Sequence, residues 1–282
     1  MTNLKLFSDS TCDLSKEELE QMDIGIIPLI INFKEKSYRD MTEINSQKLF
    51  ELVEETDEIP STSAPSPSVF AEAFSEYTEK GIPVLSINLA SCFSSTYSNA
   101  HMGGQSCKGA PATVIDSNMT CGLLGGILRI CHEMKLNDRP CEEIIAKARE
   151  LTENYRLYFT INDLTFLKKG GRIDSFTHFA GSLLGIKPII EMTKEGLKIV
   201  KKARGNPKAI ESLIEFAKSD KDRIWGNTLH VACVGSTREQ LEELKSALRK
   251  ATGIDKIYEY TVGCTLACHS GDGVFGLGYF TK

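Results

Sequence analysis

No apolar run in this chain approaches the roughly 18 residues that a membrane-spanning helix needs. Excess positive charge is missing as well. Against 38 Asp and Glu stand 33 Lys and Arg, a net charge of -5, which argues against grasping nucleic acid by its phosphates. The opening Met1-Thr2-Asn3-Leu4-Lys5-Leu6-Phe7 lacks a long apolar segment and a small-residue cleavage site, so no signal peptide is expected. The cysteines number nine, an odd count scattered from Cys12 to Cys268. No disulfide framework is expected, and a reducing cytoplasmic setting is. Cys264 and Cys268 crowd beside His269, but a fourth ligand and a second cluster at zinc-like spacing are wanting, so no metal is expected.

Nucleotide-binding and hydrolase motifs are also absent. Gly271-Asp272-Gly273-Val274-Phe275-Gly276 matches G-x-G-x-x-G by letter. A dinucleotide site needs that motif between a strand and a helix, and the stretch to Lys282 leaves no room for the helix. Gly181-Ser182-Leu183-Leu184-Gly185-Ile186-Lys187-Pro188 imitates a phosphate loop. However, Lys does not follow its second Gly, and Pro188 stands where a hydroxyl should bind magnesium. Neither G-x-S-x-G nor H-E-x-x-H occurs. No motif in the chain binds ATP, and no cofactor is expected.

What is present suits a globular α/β protein. Apolar residues make up 41% of 282 positions and charged residues 25%, enough for about two domains of ordinary size. Residues 4–7 read as a first strand, and Ser15 with Glu18 as a capping box opening a helix. Residues 24–33 read as one strand buried on both faces, and 45–53 as a short helix. Ser66-Pro67 starts a helix with Val69, Phe70, Ala73, Phe74 and Tyr77 on its apolar face. Strands over 83–89 and 112–115 each lead to a helix, the second carrying Gly122, Gly125 and Gly126 for close packing. Residues 141–153 form a further amphipathic helix.

A second unit opens near Tyr155 with a strand over 157–161. A hairpin follows, pairing 186–192 with 197–202. Asn206-Pro207 caps a helix, 229–234 is a strand, and Ser236 with Glu239 forms another capping box. Late strands cover 257–262 and 274–280. Alternating strands and helices predict α/β architecture: residues 1–155 with a mainly parallel sheet, and 156–282 with a mixed one.

Hydroxyls gather in three segments that each follow an extended run: Ser8-Asp9-Ser10-Thr11, Thr62-Ser63-Ala64-Pro65-Ser66-Pro67 and Ser94-Ser95-Thr96-Tyr97. Cys268-His269-Ser270-Gly271 adds a fourth polar element. A carboxylate only accepts hydrogen bonds, so hydroxyl and imidazole donors suit it. Ser94 and Ser95 also stand where a helix begins, and free N–H groups there favour an anion. Ordinary readings compete: Ser94 as an N-cap, Thr62 as a turn residue, His269 as a structural histidine. Such a cluster holds an anion without acting on it, which points to a carrier. Two alternatives stay open, a serine hydrolase using Ser94 and His269, and a binding protein for another lipid or small anion.

Six segments, in order, resemble the DegV family. They are Asp9-Ser10-Thr11-Cys12-Asp13-Leu14, the Thr62–Pro67 and Ser94–Tyr97 segments, Val114-Ile115-Asp116-Ser117, Asp163-Leu164-Thr165-Phe166-Leu167-Lys168-Lys169-Gly170-Gly171-Arg172-Ile173, and Leu184-Gly185-Ile186-Lys187-Pro188-Ile189-Ile190. The resemblance implies a bacterial two-domain α/β protein that holds a long-chain fatty acid between its domains. It further implies a non-catalytic, acyl-carrying subunit of a fatty acid kinase in phospholipid metabolism, whose separate ATP-dependent partner makes acyl phosphate. Thr62 and Ser94 would bind the carboxylate, with His269 close by and Ser63 and Ser95 as helpers. Arg172 and Arg204 would engage the kinase. Where the family usually has Gly, this chain has Ser95, which predicts an added side chain near the carboxylate. Cys268 and Ser270 flank His269 where the family often has Thr.

Overall fold

The computed structural model describes residues 1–162, 164–172 and 185–282. Asp163, Ile173 and residues 181–184 of the phosphate-loop look-alike lie outside the described residues. In chain order come β1 (Lys5–Asp9), α1 (Lys16–Gln21), β2 (Ile24–Ile27), β3 (Ile30–Phe33), β4 (Lys36–Arg39), α2 (Ser46–Thr56), β5 (Ser61–Ser63) and α3 (Pro67–Thr78). Next are β6 (Val84–Asn88), α4 (Thr96–Ser106), β7 (Ala112–Asp116), α5 (Cys121–Leu136), α6 (Cys141–Glu153), β8 (Tyr155–Thr160) and α7 (Thr165–Lys169). The described chain closes with β9 (Ile186–Thr193), β10 (Gly196–Arg204), α8 (Gly205–Ser219), β11 (Thr228–Cys233), α9 (Arg238–Thr252), β12 (Lys256–Thr261), α10 (Cys264–Ser270) and β13 (Phe275–Phe280).

Three sheets result. A four-stranded sheet, ordered β2-β1-β6-β7, is wholly parallel. A six-stranded sheet, ordered β10-β9-β8-β13-β11-β12, is antiparallel except between β11 and β12. The fold class is therefore the α/β arrangement expected, with one parallel and one mixed sheet. The third sheet, β4-β3-β5, corrects the single strand expected over 24–33. Pro28 has no N–H to donate to a ladder, so the run breaks there. Its first half pairs with β1, and its second half turns away to pair with β4 and β5. The Leu29 N–H then donates to Ser10 Oγ at 3.2 Å.

Two helix starts also differ from expectation. Helix α8 begins at Gly205, so Asn206 lies inside its first turn. Before α9 a 3-10 turn runs Gly235–Thr237, and the Ser236 N–H donates to Asp272 Oδ1 at 2.8 Å. Asp272 thus takes the N–H that a capping box with Glu239 would use. The Ser15–Glu18 box is formed as read.

Helix α5 joins the sheets. Its three glycines let three neighbours approach the helix backbone. An added Cβ would fall 2.4 Å from the Tyr260 ring at Gly122, 2.6 Å from Cys12 O at Gly125 and 2.6 Å from the His230 ring at Gly126. One core therefore runs from Leu6 and Leu85 through Leu124 and Ile127 to Ile190 and Tyr260. The other face of the six-stranded sheet packs Tyr158, Leu277 and Tyr279 against Leu213 and Leu241 of α8 and α9. Period-two alternation decides which side chains meet α5 and which meet α8 and α9.

Candidate functional site

Open parallel sheets bind ligands beyond the carboxyl ends of their strands, where the strand order reverses. Here that point is the β1/β6 boundary, and the loop leaving β6 carries Phe93 and Ser94. Ser94 Oγ pairs with Thr96 Oγ1 at 2.8 Å and accepts the Thr96 N–H at 3.2 Å, so it also caps the entry to α4. Thr62 sits on β5 opposite Ile31. Strand alternation turns it inward and turns Ser63 outward. Ser63 is exposed and accepts a hydrogen bond from Asn32 Nδ2 at 2.6 Å.

His269 comes from the last turn of α10. Two buried carboxyl groups fix the start of that helix. Asp40 Oδ2 accepts from Thr265 Oγ1 at 2.6 Å and from the Thr265 N–H at 3.2 Å, while Asp13 Oδ1 accepts from the Gly263 N–H at 3.0 Å. Acidic groups at a helix N-terminus complement its dipole. Gly271, at φ 71°, turns the chain out of α10, and the Phe166 ring lies where its Cβ would be. The geometry brings Thr62 Oγ1 and His269 Nε2 to 2.9 Å.

Burial pushes the His269 imidazole down to about 4, with the nearby Arg172 charge adding to it. His269 is neutral at pH 7. Its Nδ1 is buried without a partner among the described residues and lies against Gly170, where a Cβ would be 2.3 Å away. An orphaned buried N–H is costlier than an orphaned lone pair, which assigns the proton to Nε2. That tautomer donates to Thr62 Oγ1 and leaves the threonine hydroxyl proton free for a ligand.

Arg172 lies in the wall of the same site. Its Nε and Nη2 donate to Phe93 O at 3.2 and 3.1 Å, and its Nη1 donates to Gly170 O. This fork ties the Ser94 loop to the turn beside His269. Ser95 is exposed at the start of α4 and does not line the site, so the side chain that replaces glycine points away from the expected carboxylate. Arg204 is exposed at the end of β10, outside the cavity.

From Thr62, Ser94, Arg172 and His269 a cavity extends between the six-stranded sheet and the first turn of α5, with about 1040 Å³ of atom-free space including its mouth. Leu89, Leu157, Phe159, Met192 and Val262 contribute apolar walls. On the sheet face, Gly276 lies between Phe159 and Ala232, and Gly278 between Leu157 and His230. Gly276 adds no side chain to the cavity side and Leu123 of α5 packs over Gly278, while Leu277 and Tyr279 fill the opposite core. Sequence reading attached Gly276 to a spurious nucleotide motif and passed over Gly278. The available sign was alternation of glycine with large apolar residues inside a strand.

Such a pocket, lined mainly by apolar side chains with hydroxyl donors gathered at Thr62 and Ser94, can hold an amphipathic anion by its carboxylate. The hydrolase alternative finds no support in the geometry. His269 faces Thr62, Ser94 faces Thr96, and among the described residues no acid orients His269 Nδ1. Among the described residues, no group of three or more His, Cys, Asp or Glu gathers as a metal site, and no helix is long and apolar enough to cross a membrane. All nine cysteines are free thiols.

Comparison with known proteins gives concordant results. The DegV family model, described as an uncharacterised protein family, matches residues 3–282. A DegV domain-containing protein of Clostridium acetobutylicum is 31% identical over 283 residues, with each chain covered in full. Among solved structures, a fatty-acid-binding DegV family protein from Thermus thermophilus superposes with a TM-score of 0.90 at 25% identity, again over all of both chains. A stearic acid-binding protein from Eubacterium ventriosum superposes with a TM-score of 0.88 at 28% identity, covering 99% of this chain and 98% of that one.

Proposed function

The chain belongs to the DegV family, and on that footing we propose that it binds one long-chain fatty acid and presents the carboxylate to a separate ATP-using kinase. Thr62 and Ser94 donate to the carboxylate, and His269 holds the Thr62 hydroxyl in its donating orientation. The acyl tail lies over Gly276 and Ala232 of the six-stranded sheet. The division near residue 155 separates a unit that supplies hydroxyl donors from one that supplies the tail bed and His269. Burying methylenes contributes about 0.8 kcal/mol each, on the order of 10 kcal/mol gross for a long chain. The polar end then fixes orientation.

In the kinase step a carboxylate oxygen attacks the γ-phosphorus of ATP held by the partner. A new O–P bond forms, the bond to the β-bridging oxygen breaks, and ADP leaves. This chain supplies positioning and no reacting group. Arg204, exposed beyond the cavity, contacts the kinase. Arg172 contributes to that contact by ordering the Ser94 loop. The reading places the protein in the cytoplasm, serving phospholipid synthesis.

The observation that carries this reading is the convergence of Thr62, Ser94, Arg172 and His269 in the wall of a cavity lined mainly by apolar residues. Native mass spectrometry of freshly purified protein, followed by organic extraction, tests it. A long-chain fatty acid released at about one per chain agrees. A bare chain that takes up no added fatty acid contradicts it.

A further inference from the structure

Thr62 and His269 meet from two different elements, and a third residue ties those elements together. Asp40 follows β4, and its N–H donates to Leu29 O at 2.9 Å, which extends the ladder between β4 and β3 by one row. Thr62 lies across the same central strand, on β5, opposite Ile31. Leu29 and Ile31 stand two apart on extended backbone and share a face, so Asp40 and Thr62 project from one face of the three-stranded sheet. On α10, Thr265 and His269 stand four apart, one above the other on one side of the helix. These two faces meet. Thr62 Oγ1 lies 2.9 Å from His269 Nε2, and Asp40 Oδ2 accepts from Thr265 Oγ1 at 2.6 Å and from the Thr265 N–H at 3.2 Å. The helix is attached to the small sheet at two points, one turn apart.

The Asp40 contact is built into the fold. Asp40 and Thr265 are both buried, and a carboxyl taken out of water is costly unless hydrogen bonds satisfy it. The Met41 N–H supplies a third donor, to Asp40 Oδ1 at 2.8 Å. Met41 takes φ 63°, in the left-handed region that few side chains adopt. The turn after β4 therefore holds the carboxyl in place for α10. Asp13 also bonds the start of α10, but it follows β1 and ties the helix to the parallel sheet. Of these two acids, Asp40 alone extends the sheet that carries Thr62.

We propose that Asp40 is a positioning residue for the head-group site: it sets α10 so that His269 Nε2 meets Thr62 Oγ1, which keeps the Thr62 hydroxyl proton turned toward the carboxylate. The tether itself is a property of the ligand-free protein, and its effect on the carboxylate rests on the fatty-acid reading above. Asp40 does not line the cavity. Its loss should loosen the polar end and leave the tail bed as it is.

The test is Asp40→Asn in the whole protein, which keeps the shape but exchanges an acceptor oxygen for a donor amide. Proton NMR of the ligand-free protein reads the tether through the His269 Nε2–H signal, assigned by its loss in His269→Gln. That proton should be protected from exchange with water in wild type and broadened away in the variant. Calorimetry with stearic acid and stearyl alcohol reads the consequence. Acid affinity should fall by about three- to thirtyfold, while the alcohol binds within about twofold of wild type and shows that the variant is folded. In a Thr62→Val background the same change should cost the acid less than about twofold, because the pair it positions is already broken. Should Asp40→Asn not fold, Thr265→Val removes one of the two bonds and should move both readouts in the same direction, with Thr265→Ser restoring them. An undisturbed Nε2–H signal in the variant overturns the tether, as does an acid penalty that persists in full beside Thr62→Val. If no fatty acid binds wild type, the reading above fails, and the Nε2–H signal still decides the tether.

Discussion

The two main sheets serve the site in opposite ways. The parallel sheet is buried on both faces and touches the ligand space only through what leaves its strand ends, such as the Leu89 to Ser94 loop. The mixed sheet contributes its own surface, with Gly276 and Ala232 side by side in the cavity wall and Leu123 of α5 packed over Gly278. Head-group chemistry therefore depends on a few hydrogen bonds, whereas tail binding depends on area. Changes to the two regions should differ in size and in kind.

The largest effect should come from filling the tail bed. Ala232→Phe places a ring over the Gly276 rung and displaces several methylenes. At about 0.8 kcal/mol each, this should weaken long-chain fatty acid binding by about a hundredfold or more, read by calorimetry. A loss of tenfold or less would mean that the tail does not lie on this sheet. Next comes the polar end. Thr62→Val with Ser94→Ala removes two hydrogen bonds to an ionised group, and at about 1.5 kcal/mol or more each should cost on the order of a hundredfold. Stability of the ligand-free protein should fall by about 1–3 kcal/mol, because Thr62→Val leaves the buried His269 Nε2–H without its acceptor. A fatty alcohol of the same length, which has no carboxylate, should lose far less than the acid.

Acid stability gives a smaller effect. Burial pushes His269 down to about 4 and His230 to about 3, against about 6.5 for an unfolded histidine. As pH falls below about 6.5, the unfolded chain takes up protons that the native state does not. Stability is therefore full above that pH, and His269 withdraws its share between about 6.5 and 4. His269→Gln should flatten the loss across that window by ~2–3 kcal/mol in urea unfolding of the ligand-free protein. An unchanged slope would mean that His269 is more solvated than its packing against Gly170 indicates. The smallest effects belong to Ser63→Ala, Ser95→Ala and Arg204→Ala. Each should alter fatty acid affinity less than about twofold, as expected away from the cavity. A marked loss at Ser63 would put the β5 register in doubt.

The sequence made the polar end easier to read than the apolar bed. Thr62, Ser94 and His269 stand in distinctive hydroxyl-rich or polar contexts, and the structure brings them together. Which hydroxyl of each pair faces inward was not legible, because strand alternation at β5 and the helix entry at α4 decide it. Arg172 reads, by resemblance, as a kinase contact and not as part of the cavity wall, since the carbonyl of Phe93 that receives its fork lies far away in the chain. The single strand read over 24–33 failed at Pro28, which sends the chain into a third sheet. Gly276 and Gly278 were hidden because what a strand glycine makes room for is recognised only when its neighbours, Phe159 and Ala232 for one and Leu123 for the other, are known.

The most direct test of this division of labour is a crystal structure of the protein with stearic acid bound. The carboxylate should lie within hydrogen-bond reach of the Thr62 and Ser94 hydroxyls, with the tail running over Gly276 and Ala232. A reversed ligand with its methyl end at His269, or one bound outside the cavity, would contradict the account.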